Sequence, residues 1–309
     1  MEIRTTTKMT SGTLIKYMQS NMAAYNKLSE EVSSGNKVSQ PSDDPLAAIE
    51  ILQDNASISK LNGYNTNIST AQDEVNVTDG ALTSIISSLE KAHDLAVQGA
   101  NGTYGTTDLE AMQAQVDQII QNLKDLGNTK YNGNYIFAGT KTSTIPFEEN
   151  ATGGMSYNGT PSTSNYKRYT QISESENVSI NLSGDSVLGS YDSATATGTG
   201  AMKDLYTLSK ALASGDSTAV HNTIDSIMDD IENVTSSRSD LAALTNRFTS
   251  TTTYNSNKIT ILKENKSNVQ DIDMATTVTD LYTAQTVYQS SMSVVSNLLK
   301  LGSLWDYIG

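Results

Sequence analysis

Apolar side chains recur along the chain at alternating steps of three and four, and the runs are long. From Leu61 the series continues through Tyr64, Ile68, Ala71, Val75, Thr78, Leu82, Ile85, Leu89, Ala92 and Ala96 to Gly99 without a break. This is the seven-residue repeat of a coiled-coil seam. At about 1.5 Å per residue it predicts a helix about 58 Å long. A shorter stripe follows in Leu109, Met112, Val116, Ile119, Leu123 and Leu126, with Gly127-Asn128 as its stop signal and Thr107 or Asp108 as its N-cap. The two stripes predict an antiparallel helix pair. A third long series runs from Val220 through Ile224, Ile227, Ile231, Val234, Arg238, Leu241, Thr245 and Phe248, and on through Asn255 and Ile259 to Val269. Its apolar content fades after Phe248, and polar residues at seam positions fix register at some cost in stability.

Both ends of the chain carry stripes of the same kind. One comprises Ile15, Met18, Met22, Tyr25, Leu28 and Val32; the other comprises Met274, Val278, Leu281, Gln285, Tyr288, Met292, Val295 and Leu299. The middle reads differently. Tyr135 to Gly139, Pro146-Phe147, Met155 to Asn158, Tyr166 to Ile172 and Val178 to Leu182 predict short strands, with Gly153-Gly154 and Asn158-Gly159 as turns. A further helix is expected over Met202 to Leu212. The expected fold is therefore mainly α with a β insertion: an elongated antiparallel helical bundle formed by the N- and C-terminal segments, with a small all-β outer domain. The expected divisions are terminal helices at 1–45 and 270–309, unpaired or disordered in the monomer, a helical rod at 46–139 and 201–269, and a β-rich domain at 140–200.

Composition explains why the seams are narrow. Of 309 residues 37% are hydrophobic and only 17% charged, so uncharged polar residues fill the gap. Such a chain builds a thin core stretched along a seam rather than a wide one. The net charge of −14 argues against nucleic acid or an anionic membrane surface as partner. No apolar stretch approaches the roughly 18 residues of a membrane span, and the N-terminus lacks the basic start and apolar run of a cleaved secretory signal. Cysteine is absent, which removes disulfides, thiolate metal sites and a cysteine nucleophile.

Chemistry-bearing constellations are equally sparse. His93 and His221 each stand alone on a helix, and no phosphate-binding glycine loop follows Gly198-Thr199-Gly200. The acidic clusters Asp43-Asp44, Asp229-Asp230 and Asp271-Ile272-Asp273 read as helix caps rather than metal ligands. No catalytic, cofactor or metal site is expected, and no enzymatic activity. Arg238 is the charged oddity, on a seam position among Val234, Leu241 and Phe248. Either it snorkels outward over its packed stem or it pairs with a carboxylate across the bundle.

The turn Ser33 to Pro45 is the most specific segment. Gly35 stops a helix, Pro41 and Pro45 forbid its continuation, and Asp43 or Asp44 caps the next. With its Pro41-Ser42-Asp43-Asp44-Pro45 sequence, this turn resembles the one between the first two helices of the bacterial flagellin family. Asn132 to Gly139, Arg238, Ile272-Asp273-Met274-Ala275 and the ending Leu301 to Ile308 resemble the same family, over about residues 1–140 and 200–309. The resemblance implies a secreted structural component of the extracellular flagellum, a junction between hook and filament. It implies export through the type III apparatus after a transient cytoplasmic stage, and assembly with itself as a ring. The implied partners are a hook-associated protein on one side, flagellin on the other, and a dedicated cytosolic export chaperone at the C-terminal helix. The two terminal stripes would carry assembly and chaperone binding, with Leu82, Ile85, Leu89, Ile227, Ile231 and Arg238 forming the rod seam. The filament subunit itself, a coiled-coil adhesin or a secretion-apparatus tip are the rival expectations.

Overall fold

A computed structural model describes residues 7–308 except 152 and 164–166, with the side chains of 7, 8, 10, 11 and 298–308 outside the description. The elements in chain order are α1 (Thr7–Ser34), α2 (Pro45–Ala100), α3 (Thr106–Gly127), β1 (Lys130–Tyr131), β2 (Asn134–Tyr135), β3 (Phe147–Glu149), β4 (Met155–Tyr157), β5 (Tyr169–Gln171), β6 (Asn177–Ser179), α4 (Gly184–Val187), β7 (Ser190–Asp192), β8 (Thr197–Thr199), α5 (Gly200–Ser214), α6 (Ser217–Gln270) and α7 (Met274–Ile308). Helices at both ends thus enclose a β region, as the periodicity predicts. The chain divides into two compact units, one of residues 1–60 with 257–309 and one of residues 61–256. Helices α2 and α6 contribute to both.

In the larger unit the predicted seams are the core. Ile68, Ala71, Val75, Leu82, Ile85, Leu89, Ala92 and Ala96 of α2 are buried together with Val220, Ile227, Val234, Leu241 and Phe248 of α6. Helices α3 and α5 complete this core through Val116, Leu123, Met202, Leu205 and Leu208. One seam position departs from expectation. The strict three-four alternation selects Ile119 on α3, but Ile120 is buried and Ile119 only partly so. A helix packed on more than one neighbour buries a stripe wider than a two-helix seam.

The β region is a four-stranded antiparallel sheet, in the order β3-β4-β7-β8, with two hairpins, β1-β2 and β5-β6. The β1-β2 turn has positive φ at both Asn132 (47°) and Gly133 (81°), the pattern that matches a two-residue turn to strand twist. Tyr135 to Gly139 is not the predicted strand. Within it Tyr135 pairs in the β1-β2 hairpin and Ala138 makes one isolated bridge to Ser183, while Ile136, Phe137 and Ala138 are buried in otherwise irregular backbone. Their amides and carbonyls bond elsewhere: Thr160 N–H donates to Ala138 O (3.0 Å) and Gly184 N–H to Phe137 O (2.8 Å). Of the predicted strand from Tyr166 to Ile172, Tyr166 lies outside the described residues, and Tyr169–Gln171 forms β5.

The smaller unit brings α1 alongside α7, with Tyr25 and Tyr288 stacked at 6.2 Å between ring centroids. Val38, Ala47, Ala48 and Ile51 form its only cluster of buried apolar residues among those described, with Val269 against it.

Candidate assembly surface

The turn from α1 into α2 is built from its own side chains. Gly35 has φ +75°, a conformation that favours glycine, and its N–H donates to Glu31 O at 2.8 Å to close α1. Asp43 Oδ2 accepts from the N–H groups of Ser39 (3.2 Å) and Gln40 (3.0 Å). Those two donors hold the Asp43 carboxyl below the usual carboxylate range, Gln40 more than Ser39. Asp44, not Asp43, caps α2: its Oδ1 accepts from Leu46 N (3.0 Å) and Ala47 N (3.1 Å), with Pro45 in the first turn. Pro41 is exposed on the outside of the bend. The returning chain locks on here, since Lys37 N–H donates to Gln270 O (2.6 Å) and Ile272 N–H to Gly35 O (3.1 Å).

Helix α7 then starts at Asp273, whose carboxylate accepts from the Thr276 hydroxyl (3.0 Å) and the N–H groups of Ala275 (3.0 Å) and Thr276 (3.4 Å). The Thr276 contacts lower its pKa first, then the Ala275 amide. Asp271 does not share this role; its carboxylate accepts the Ser267 hydroxyl from the end of α6. Nor are Asp229 and Asp230 caps. Both lie inside α6, and Asp230 is buried.

The terminal stripes face one another only in part. Met18, Tyr25, Leu28 and Val32 of α1, and Val278, Leu281, Tyr288 and Val295 of α7, are half-buried, while Ile15, Met22 and Met292 are exposed. Leu299 lies in the part of α7 whose side chains fall outside the description. No described residue of either helix is fully buried, in contrast to Leu82, Ile85, Leu89 and Ile227 of the larger unit, each at 0% exposure. Ile231 is partly buried there.

Sequence reasoning missed further apolar positions that lie off the α1-facing stripe. Tyr282, Val287 and Val294 of α7 are 65%, 46% and 49% exposed, and Met9 and Tyr17 of α1 are exposed as well. Their spacing falls between the members of the α1-facing stripe, so a search for one seam passes over them. Helix α7 is thus apolar on more than one side, the pattern of a helix meant for full burial. A pair of helices cannot supply that burial.

Arg238 takes the second of its two expected courses: Nε donates to Asp79 Oδ1 of α2 at 2.7 Å and Nη2 to Oδ2 at 3.4 Å. That bond raises its pKa further. Two other arginines do the same work between different elements. Arg168, beside β5, pairs with Glu74 of α2, and Arg247 of α6 pairs with Glu176 in the β5-β6 turn. Among the described residues no group of three or more His, Cys, Asp or Glu side chains could hold a metal ion, and no helix is long and apolar enough to cross a membrane.

Comparison with known proteins gives this architecture its family. The model of the bacterial flagellin N-terminal helical region matches residues 6–142, and that of the flagellin C-terminal helical region matches residues 224–308. The chain belongs to the bacterial flagellin family. Flagellar hook-associated protein 3 of Escherichia coli K12 is 25% identical over 314 aligned positions, spanning 96% of this chain and 97% of that protein. Flagellin of Listeria monocytogenes is 23% identical, spanning 91% of this chain and 90% of its own length. Among solved structures, hook-associated protein-3 of Legionella pneumophila shares the fold at a TM-score of 0.62, with 16% identity over 71% of this chain and 98% of that one. The flagellin-family member described here is accordingly a structural component of the flagellum. Its resemblance to hook-associated protein 3 extends over nearly the whole chain.

Proposed function

We propose that this protein joins the flagellar hook to the filament, assembling as a ring of identical subunits through α1 and α7. The carrying observation is the apolar circumference of α7, of which α1 covers one side. Neighbouring copies of the same helices are the natural cover, because they present the same stripes. Residues 1–45 and 270–309 would then be the assembling segments, 46–139 and 201–269 the supporting rod, and 140–200 the outward β domain. The full-length similarity to hook-associated protein 3 supports this place, with a hook-associated protein on one side and flagellin on the other.

Export in an unfolded state through the type III channel follows from the same reading, as does a cytosolic chaperone covering Val278, Leu281, Tyr288, Met292 and Val295 beforehand. Supporting this are a chain without disulfides and a core confined to narrow seams, which unfolds at modest cost. A second reading, the filament subunit, draws on the similarity to flagellin over nine-tenths of the chain.

Electron microscopy of a strain lacking the protein separates the two. A junction protein leaves bare hooks and sheds flagellin into the medium. A filament subunit leaves bare hooks and no shed flagellin. Persisting filaments refute both.

A further inference from the structure

We propose that Asn101-Gly102 is a site of spontaneous deamidation, where the folded protein converts an amide to an acid while its other Asn-Gly steps are shielded. The chain has four such steps: Asn62-Gly63, Asn101-Gly102, Asn132-Gly133 and Asn158-Gly159. In each, the glycine amide nitrogen can attack the Asn side-chain carbonyl carbon, because glycine has no Cβ to obstruct the approach. As the new N–C bond forms, the bond to the side-chain nitrogen breaks. Ammonia leaves with the proton that the glycine nitrogen gives up, and a cyclic succinimide remains. Water then opens either carbonyl of the ring. The products are aspartate and isoaspartate, the latter with its main chain running through the side-chain carbon. Water is the only other reactant.

The four steps differ in what holds the reacting groups. Gly63 lies inside α2, where its N–H is committed to the helix ladder. Asn158 Nδ2 donates to Glu148 Oε2 and its N–H to Pro146 O, both at 2.8 Å, and Gly159 is buried. Asn132 and Gly133 are exposed, but they form the turn of the β1-β2 hairpin, closed by the Tyr131–Asn134 and Lys130–Tyr135 pairs. Ring closure needs the Asn backbone to turn its own peptide toward the side chain, and the hairpin holds that peptide in place.

Asn101 and Gly102 are both exposed, in the link from α2 to α3. Gly102 N–H makes no hydrogen bond among the described residues, and nothing lies within 4 Å of where a Cβ on Gly102 would stand. Asn101 is held only by close neighbours in sequence. Its N–H donates to Gln98 O (3.1 Å), its Nδ2 to Val97 O (3.3 Å), and its carbonyl accepts from Thr103 N–H (2.7 Å). Opening these contacts disturbs no other element of the fold.

The modification acts on the end of α2. Asn101 is the first residue after that helix, so the new carboxylate meets its unpaired carbonyls at the negative end of the dipole. The donor to Val97 O is lost as well, and the isoaspartyl form lengthens the main chain between α2 and α3. All of this lies in the unit of residues 61–256 and holds whether the protein is a junction or a filament subunit.

The test is peptide mapping of the purified full chain during incubation at mildly alkaline pH, with isoaspartate read by enzymatic methylation. In the folded protein Asn101 should convert at least about tenfold faster than Asn62, Asn132 and Asn158, which react only through local opening. In urea all four should convert at similar rates. Equal conversion at the four sites in the folded protein overturns the assignment, as does an Asn101 that persists there while the urea sample loses it. Asn101→Asp, which reproduces one product, should unfold at lower urea concentration than the wild type; an unchanged midpoint overturns the effect on α2.

Discussion

If α7 carries assembly as proposed, stability and assembly rest on different apolar residues, and paired perturbations should separate them. Leu82 has no exposed surface and lies in the α2 seam; a buried Leu→Ala change costs about 2–5 kcal/mol. In a unit of this size each kcal/mol moves Tm by about 2–4 °C, so Leu82→Ala should lower the melting temperature by about 4–20 °C. Val287, Met292 and Val294 are 46%, 45% and 49% exposed. Burying such a side chain fully is worth about 1.5–3 kcal/mol, and close to half remains to be gained, about 0.7–1.5 kcal/mol each. Replacing all three by Ser should cost the monomer only about 0.5 kcal/mol per substitution. Association should weaken by about 2–4 kcal/mol per subunit, or about 30- to 800-fold. Circular dichroism reads the first effect, and complementation of filament growth in a deletion strain reads the second. If the triple variant melts like Leu82→Ala, or restores filaments at normal frequency, the exposed apolar side chains of α7 do not form an assembly surface.

Other expectations are simpler. The Arg238–Asp79 pair, about 45% exposed on both sides, should show only a small double-mutant coupling, and Arg168–Glu74, at 31% and 12%, should exceed it. Gly127→Ala should lose about 1–3 kcal/mol by denaturation, because its new Cβ would lie 2.5 Å from the Phe147 ring. Asp44→Ala removes the α2 cap and should cost about 1 kcal/mol in the same assay, with Asp44→Ser recovering most of it. Lowering the pH through the depressed carboxyl range of Asp273 should weaken the start of α7, since protonation removes the form its donors favour; backbone amide shifts of Ala275 and Thr276 report it.

The long helices were legible because a seven-residue repeat leaves the same signal at every turn for a whole helix. The Asp44 and Asp273 caps and the Gly35 reversal were legible because their chemistry is local. By contrast, α3 is capped at Gly105 rather than at the expected Thr107 or Asp108, and Asp229, Asp230 and Asp271 cap nothing. What escaped depends on contacts from afar. Strands β7 and β8, Ser190–Asp192 and Thr197–Thr199, are short and polar; their order comes from pairing and from Tyr191 stacking on Tyr206 of α5. Ile136 to Ala138 looks like strand because it is apolar, yet those side chains fill a turn in the core. The exposed apolar positions of α7 hid behind its α1-facing stripe. Asp230 looks like any helix acid, and only its burial in the folded chain marks it out.

The segment from 161 to 182 leaves and returns at nearly one point. Thr160 donates to Ala138 O, Ala138 bridges Ser183, the Ser183 hydroxyl donates to Thr160 O at 2.6 Å, and Tyr157 Oη lies 2.9 Å from the Ser183 hydroxyl. With its ends clipped together, the excursion can change length or sequence without altering the distance the rest of the chain must span. An experimenter can use the same clip as a socket, grafting an epitope or an enzyme between Thr160 and Ser183 and displaying it on a bacterial surface.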